Sequence, residues 1–293
     1  MTRSTSTLIG FIAILLWSLL ALFTAASGNV PPFQLMAMTF ALGGMIGLVS
    51  WIFRPHAIRA LRQPVKVWVI GVGALFGYHF AYFTALKNAP PIEAGLIAYL
   101  WPLLIILFSA LLPGERLRWN HLVGGSLGLI GAGLIVTGGS AVEFRSEYLF
   151  GYSMALLCAL IWSSYSVVLR RFSGVSTDVV TGFCLATSVC AVIAHGLLEQ
   201  TVWPTDAMEW GAVLCLGLGP VGFAFYVWDF GMKHGDIQVL GAASYLAPLF
   251  SSLALIAVGF AEYTWAIGLA CAFITAGALI AAKQMLFRKA SKP

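Results

Sequence analysis

Charge is what this sequence has least of. Asp, Glu, Lys and Arg make up 9% of its 293 residues, where a soluble globular protein carries about 25%. So small a supply cannot cover a globule with polar surface, which excludes a free-standing soluble domain. No Lys or Arg lies deep inside the apolar runs, so a carrier of phosphorylated sugars or nucleotide sugars lacks its counter-charges. The first apolar run has no glutamate, which a small-multidrug cation–proton antiporter would need there. There is no G-x-x-x-x-G-K phosphate loop, so the chain does not hydrolyse ATP itself. Cys158, Cys184, Cys190, Cys215 and Cys271 form no C-x-x-C pair and read as small buried hydrophobes, neither a disulfide framework nor a metal site. His79 and Asp229 are the ionisable groups away from run ends, and they do not make the His/Asp/Glu/Ser/Cys cluster of a membrane-embedded enzyme. No enzyme activity, cofactor or metal is expected.

What is present is apolar surface. Hydrophobic residues make up 60% of the chain, and mean hydropathy is +0.92. At ~20 apolar residues per crossing, ten spans are predicted at 7–26, 33–53, 67–86, 92–112, 121–138, 150–169, 179–198, 209–231, 238–258 and 264–285. The fold class is therefore an all-α membrane protein with ten transmembrane helices in a lipid bilayer. A pI near 9.0 could suggest nucleic acid, but the basic residues lie only at span ends, so no such partner is expected. Arg3, Arg54, Arg59, Arg62, Lys66, Arg116, Arg118, Arg170, Arg171, Lys233, Lys283, Arg288, Lys289 and Lys292 share one side, and only Lys87 and Arg145 take the other. The positive-inside rule then puts both termini in the cytoplasm. The first run, about 19 residues long, exceeds the 7–15 of a signal peptide's apolar core, so it is read as a retained span.

The chain repeats at an offset of about 146 residues. Ile92–Pro102 answers Gln238–Pro248, pairing Gly95 with Gly241, Tyr99-Leu100 with Tyr245-Leu246, and Pro102 with Pro248. Leu16-Trp17-Ser18 answers Ile161-Trp162-Ser163, and Trp119 and Gly131 answer Trp265 and Gly277. A unit of five spans is odd, so the second copy enters the membrane from the opposite side. The halves are two inverted five-helix repeats, 1–140 and 149–287, with a cytoplasmic tail at 288–293. Mid-span prolines remove a backbone donor and kink the helix, so Pro102, Pro248 and Pro220, with Gly95 and Gly241, are the expected kink and gating positions. Gly-Leu-Gly-Pro at 217–220 is expected to bend or unwind the eighth span.

Two five-span halves, each with a proline in its fourth span and an acidic residue before its fifth, resemble the EamA type of the drug/metabolite transporter superfamily. Thr7-Leu8-Ile9-Gly10, Leu16-Trp17-Ser18, Ile92-Glu93 and Tyr99-Leu100-Trp101-Pro102 narrow the resemblance to its bacterial inner-membrane exporters of aromatic amino acids. That resemblance implies a multi-pass inner-membrane protein, a secondary transporter exporting neutral amino acids by alternating access. The alternative is an exporter of other small metabolites or drugs of the same superfamily. A monomer is expected. The charge inventory, read separately, leaves a neutral or zwitterionic solute with an apolar body. A channel or structural subunit is disfavoured by the inverted repeat with kinked spans.

Substrate-binding candidates are polar or aromatic groups at membrane depth. His79 sits between Tyr78 and Tyr82, which share a helix face. Trp17, Trp101 and Trp162, with Tyr99, Tyr165, Ser244 and Tyr245, also lie deep. Indole and phenol groups there need partners. Tyr99 and Trp101 can share a cavity only if the kink distorts the helix, being roughly 200° apart otherwise. Trp51, Trp68, Trp119, Trp203, Trp210 and Trp265 are read as interfacial anchors. Asp229 is expected to pair with Lys233, Glu93 with Lys87, and Glu115 and Glu262 to cap helix starts.

Overall fold

The computed structural model describes residues 1–257, 259 and 262–287, with the backbone alone for 284–287. The segment expected as a tail, 288–293, lies outside the described residues. A backbone crossing lipid must bond its own polar groups, so long apolar runs become helices. Ten of them are long and apolar enough to span: Arg3–Ala26, Pro32–Phe53, Val65–Asn88, Pro91–Ser109, Trp119–Thr137, Ser146–Phe172, Val179–Leu198, Ala207–His234, Ile237–Ala257 and Trp265–Lys283. No strand occurs among the described residues. Prolines open the second and fourth spans at their first helical positions, where a missing amide costs nothing. The second span's free amides of Phe33 and Gln34 are taken by the Glu199 carboxylate at 3.0–3.2 Å. Ten being even, the end of the tenth span shares a face with Arg3, called here the Arg3 face.

Repeat partners pair with each other at the flanks. The fifth span packs on the tenth and the second on the seventh. Lipid offers no hydrophobic drive between helices, so close approach through small residues matters. A Cβ on Gly124 would stand 2.5 Å from the Gly277 carbonyl oxygen. Between the flanks lie two groups, spans one, eight and nine, and their repeat partners six, three and four.

Three spans are interrupted near mid-depth. The first divides into Arg3–Trp17 and Leu20–Ala26, the fourth into Pro91–Ala98 and Trp101–Ser109, and the ninth into Ile237–Ala243 and Leu246–Ala257. The eighth has a π-helical turn at Gly219–Phe223. The break at Ser18 has no proline or glycine behind it. Ser18 Oγ donates to the Leu15 carbonyl at 2.6 Å, a back-bond that bends helices. Its repeat partner Ser163 makes a similar bond to Ala159 inside an unbroken helix, Leu149–Val168.

Some expectations are corrected. Trp119, Trp203, Trp210 and Trp265 are exposed as anchors should be, but Trp51 is buried. Cys158 and Cys184 are buried, whereas Cys215 and Cys271 face outward. Glu93 accepts a hydrogen bond from the Tyr152 hydroxyl, and no Glu93–Lys87 pair occurs among the described residues.

Candidate functional site

The breaks decide what faces the centre. With the fourth span interrupted at Tyr99 and Leu100, Tyr99 and Trp101 line one cavity of about 200 Å³. Leu20 and Ala21, past the first break, form one wall with Ala247, Pro248 and Ser251, past the ninth. Tyr78, His79 and Tyr82 face them with Gly95 and Ala98. Pro220, Val221 and Phe225 come from the π turn and just beyond it. All of these lie at mid-depth or in the half of the molecule remote from Arg3. There, the wall segments Leu20–Ala26 and Leu246–Ala257 share no extensive packing with Pro91–Ala98.

The floor is aromatic. Trp17, Trp101, Trp162 and Trp228 form a box in which every pair of rings lies 4.9–6.4 Å apart. Two indole donors are satisfied without using the cavity. Trp17 Nε1 donates to the Pro220 carbonyl and Trp228 Nε1 to Ser166 Oγ, both at 3.1 Å. The first bond ties the break in span one to the π turn in span eight.

Among the described residues, no formally charged group lines the wall. His79 Nδ1 lies 2.7 Å from the Leu75 carbonyl oxygen. A carbonyl only accepts, so Nδ1 carries the proton and Nε2 of the neutral ring is an acceptor. That nitrogen has no hydrogen-bond partner among the described residues and is not buried, on a side chain that lines the cavity. The hydroxyls of Tyr78, Tyr82 and Tyr99 likewise make no hydrogen bond to the described protein.

Below the floor, the Arg3 face is sealed between the two groups of spans. The first segment of span nine packs on the second segment of span four. A Cβ on Gly241 would meet Ile106, the Pro102 carbonyl and Ile105 at 3.0–3.3 Å. Gln238 Nε2 donates to Ser109 Oγ at 3.0 Å across this seam. Arg3 reaches from span one to Glu115 at 2.8 Å, and also lies 3.4 Å from Asp236. Arg170 reaches from span six to the Lys233 and Gly235 carbonyls at 2.7 and 2.5 Å, and lies 3.5 Å from Glu115. Glu115 is therefore the centre of an ion cluster rather than a helix cap.

Comparison with known proteins gives this architecture a family. The EamA-like transporter family model matches residues 4–137 and 149–283, one copy for each half. The chain belongs to the EamA-like transporter family. Among EamA-like relatives, the aromatic amino acid exporter YddG of Ancylobacter novellus is 56% identical, over 96% of this chain and 98% of its own. The aromatic amino acid exporter YddG of Salmonella typhimurium is 30% identical over 86% and 88%. A solved crystal structure 55% identical to the chain superposes with a TM-score of 0.92, covering 96% of this chain and 99% of the other.

Within this EamA-like fold the residues singled out from sequence separate. Trp17, Tyr78, His79, Tyr82, Tyr99, Trp101 and Trp162 are gathered around the cavity, with Gly95, Pro220 and Pro248. Three are not. Tyr165 packs on Trp162 at 5.6 Å, beneath the floor. Ser244 Oγ donates to its own helix at Leu240. Tyr245 is wholly buried, its ring in contact with the place a Cβ on Gly128 would take. The position corresponding to Gly128 in the other half is Ile274, 146 residues on, so Tyr99 has no matching socket and faces the cavity instead. Pro102 and Gly241 lie in the seam. Asp229 pairs with Lys233 at 2.8 Å and accepts from Thr177 at 2.6 Å, fully buried and off the cavity wall. Phe225 and Trp228 were not anticipated. The signal is the Gly-x-Gly at 71–73 and 217–219, which sets Phe225 opposite His79 and Trp228 opposite Tyr82 in the repeat.

Proposed function

We propose that this protein is a secondary transporter that exports neutral amino acids, aromatic ones among them, by alternating access across the bacterial inner membrane. The observation that carries the reading is the cavity wall: uncharged, aromatic, at mid-depth, between inverted halves. Indole and phenol rings suit an aromatic or aliphatic side chain. His79 Nε2, the free hydroxyls and backbone groups at the helix breaks suit a zwitterionic head group without fixed counter-charges. The relatives that are named aromatic amino acid exporters support the same class. By the positive-inside rule the Arg3 face is cytoplasmic, so the cavity belongs to the outer half and the seal below it is the cytoplasmic one. Transport then requires that seal to part while the outer walls close.

Proteoliposomes loaded with labelled phenylalanine or tryptophan test this. Release should exceed that of protein-free vesicles and should be competed by other neutral amino acids. No excess release of any neutral amino acid sinks the reading. Release of other small metabolites alone would favour the alternative.

A further inference from the structure

We infer that the Tyr245 hydroxyl, which lies off the wall of the central cavity, is a positioning group that holds the break in the fourth span open and so sets the shape of the cavity wall. A proline removes its own amide and commonly strains the next bond in the helix as well. In an uninterrupted fourth span that next bond would join the Leu103 amide to the Tyr99 carbonyl. Here the Tyr245 hydroxyl stands between them, accepting from Leu103 N at 3.2 Å and donating to Tyr99 O at 3.2 Å. One phenol from the second half thus satisfies the Leu103 amide and the Tyr99 carbonyl, two groups that the break in the first half parts from each other, at a depth where lipid can satisfy neither.

The arrangement is built rather than incidental. Tyr245 is 0% exposed, and the socket for its ring exists because residue 128 is glycine. With the hydroxyl in place the two segments of span four stay out of register, and Tyr99 and Trp101, two residues apart, both reach the cavity. Without it, the nearest relief for the two freed groups is their direct bond. That closes the break and turns Tyr99 and Trp101 away from a common wall.

The inference rests on the transport reading for its main readout, KM, and the variants separate the two. Tyr245→Phe keeps the ring and its socket and removes only the hydroxyl. It should raise KM for phenylalanine about fivefold, the order of one net hydrogen bond, with smaller change in maximal rate. Pro102→Ala restores a donor at the break, lets the helix close and expels the hydroxyl. It should reproduce the KM shift, and the double variant should show no further change, because both act through one break. Wild-type KM in Tyr245→Phe, or effects that multiply in the double variant, would overturn the inference. If Tyr245→Phe alone fails to fold, the double variant should fold, its helix having closed its own bond, and failure of both would also overturn it. Should wild-type protein move no neutral amino acid, the transport reading fails by itself. The break is then read without substrate, from the rate at which a thiol reagent modifies Ala98→Cys. That rate should change equally in both single variants, and an unchanged rate refutes the role of the hydroxyl.

Discussion

A titratable ring in lipid invites a proton-relay reading, and His79 is where that reading is tested residue by residue. Its Nδ1 proton is committed to Leu75, and its ring neighbours are Phe40, Tyr78 and Phe83, at 5.1–6.0 Å. Among the described residues, no carboxylate shares the wall to hand a proton on. His79 is therefore expected to act as a contact. His79→Gln, which still hydrogen-bonds but does not titrate, should weaken substrate affinity about fivefold, as for one hydrogen bond, and leave the pH profile of transport unchanged. Normal affinity with a flattened pH profile would make it a relay after all. His79 and the tyrosines beside it were legible in the sequence because a polar ring at membrane depth has few explanations. Tyr245 was not. Its sequence context matches that of Tyr99, and what separates the two is a glycine at 128 against an isoleucine at 274, on other helices.

Helix interruptions follow the same pattern. Those at Pro102, Pro248 and Gly219-Pro220 could be read locally, since proline removes a donor wherever it sits. The break at Ser18 could not, because Trp-Ser occurs again at 162–163 in a continuous helix. What distinguishes the first copy is the Trp17 bond to the Pro220 carbonyl, a contact 203 residues away in sequence. Contact between whole helices also ranks glycines that composition alone treats alike. Gly124 of the fifth span faces the tenth at backbone distance, while Gly73 of the third has open space around its Cβ position. Gly124→Ala should lower stability by about 1–3 kcal/mol through overpacking. Gly73→Ala should leave it unchanged or raise it by up to about 1 kcal/mol, as helix propensity predicts. Thermal unfolding of the two variants in the same detergent compares them directly, and equal midpoints would contradict the assigned packing.

Across the whole molecule, span parity and the repeat were sufficient for the inverted architecture, but neither says which side is shut. The side chains do. The Arg3 face is bridged by Arg3 and Arg170, whose repeat positions on the other face, 145 residues away as for Trp17 and Trp162, are Tyr148 and Ala25, neither of them charged. The ionic latch is thus one-sided, and under the alternating access proposed above it should favour the conformer with the cavity on the far side. Glu115 joins both arginines, so Glu115→Gln should loosen the seam without touching the cavity. Arg3 is about half exposed and solvent screens its share, leaving an effect on the order of 1 kcal/mol. That corresponds to about a fivefold change in the ratio of the two conformers. Two reporter cysteines read it from opposite sides. Ser109→Cys, now buried under Gln238, should become more reactive to an impermeant maleimide applied to inside-out vesicles. Ser251→Cys, in the cavity wall, should become less reactive in right-side-out vesicles. The same pair tests orientation, since labelling of Ser251→Cys only from the cytoplasmic side would invert the topology. If Glu115→Gln alters neither rate, the cluster is surface decoration and the apolar seam between spans four and nine closes the Arg3 face alone.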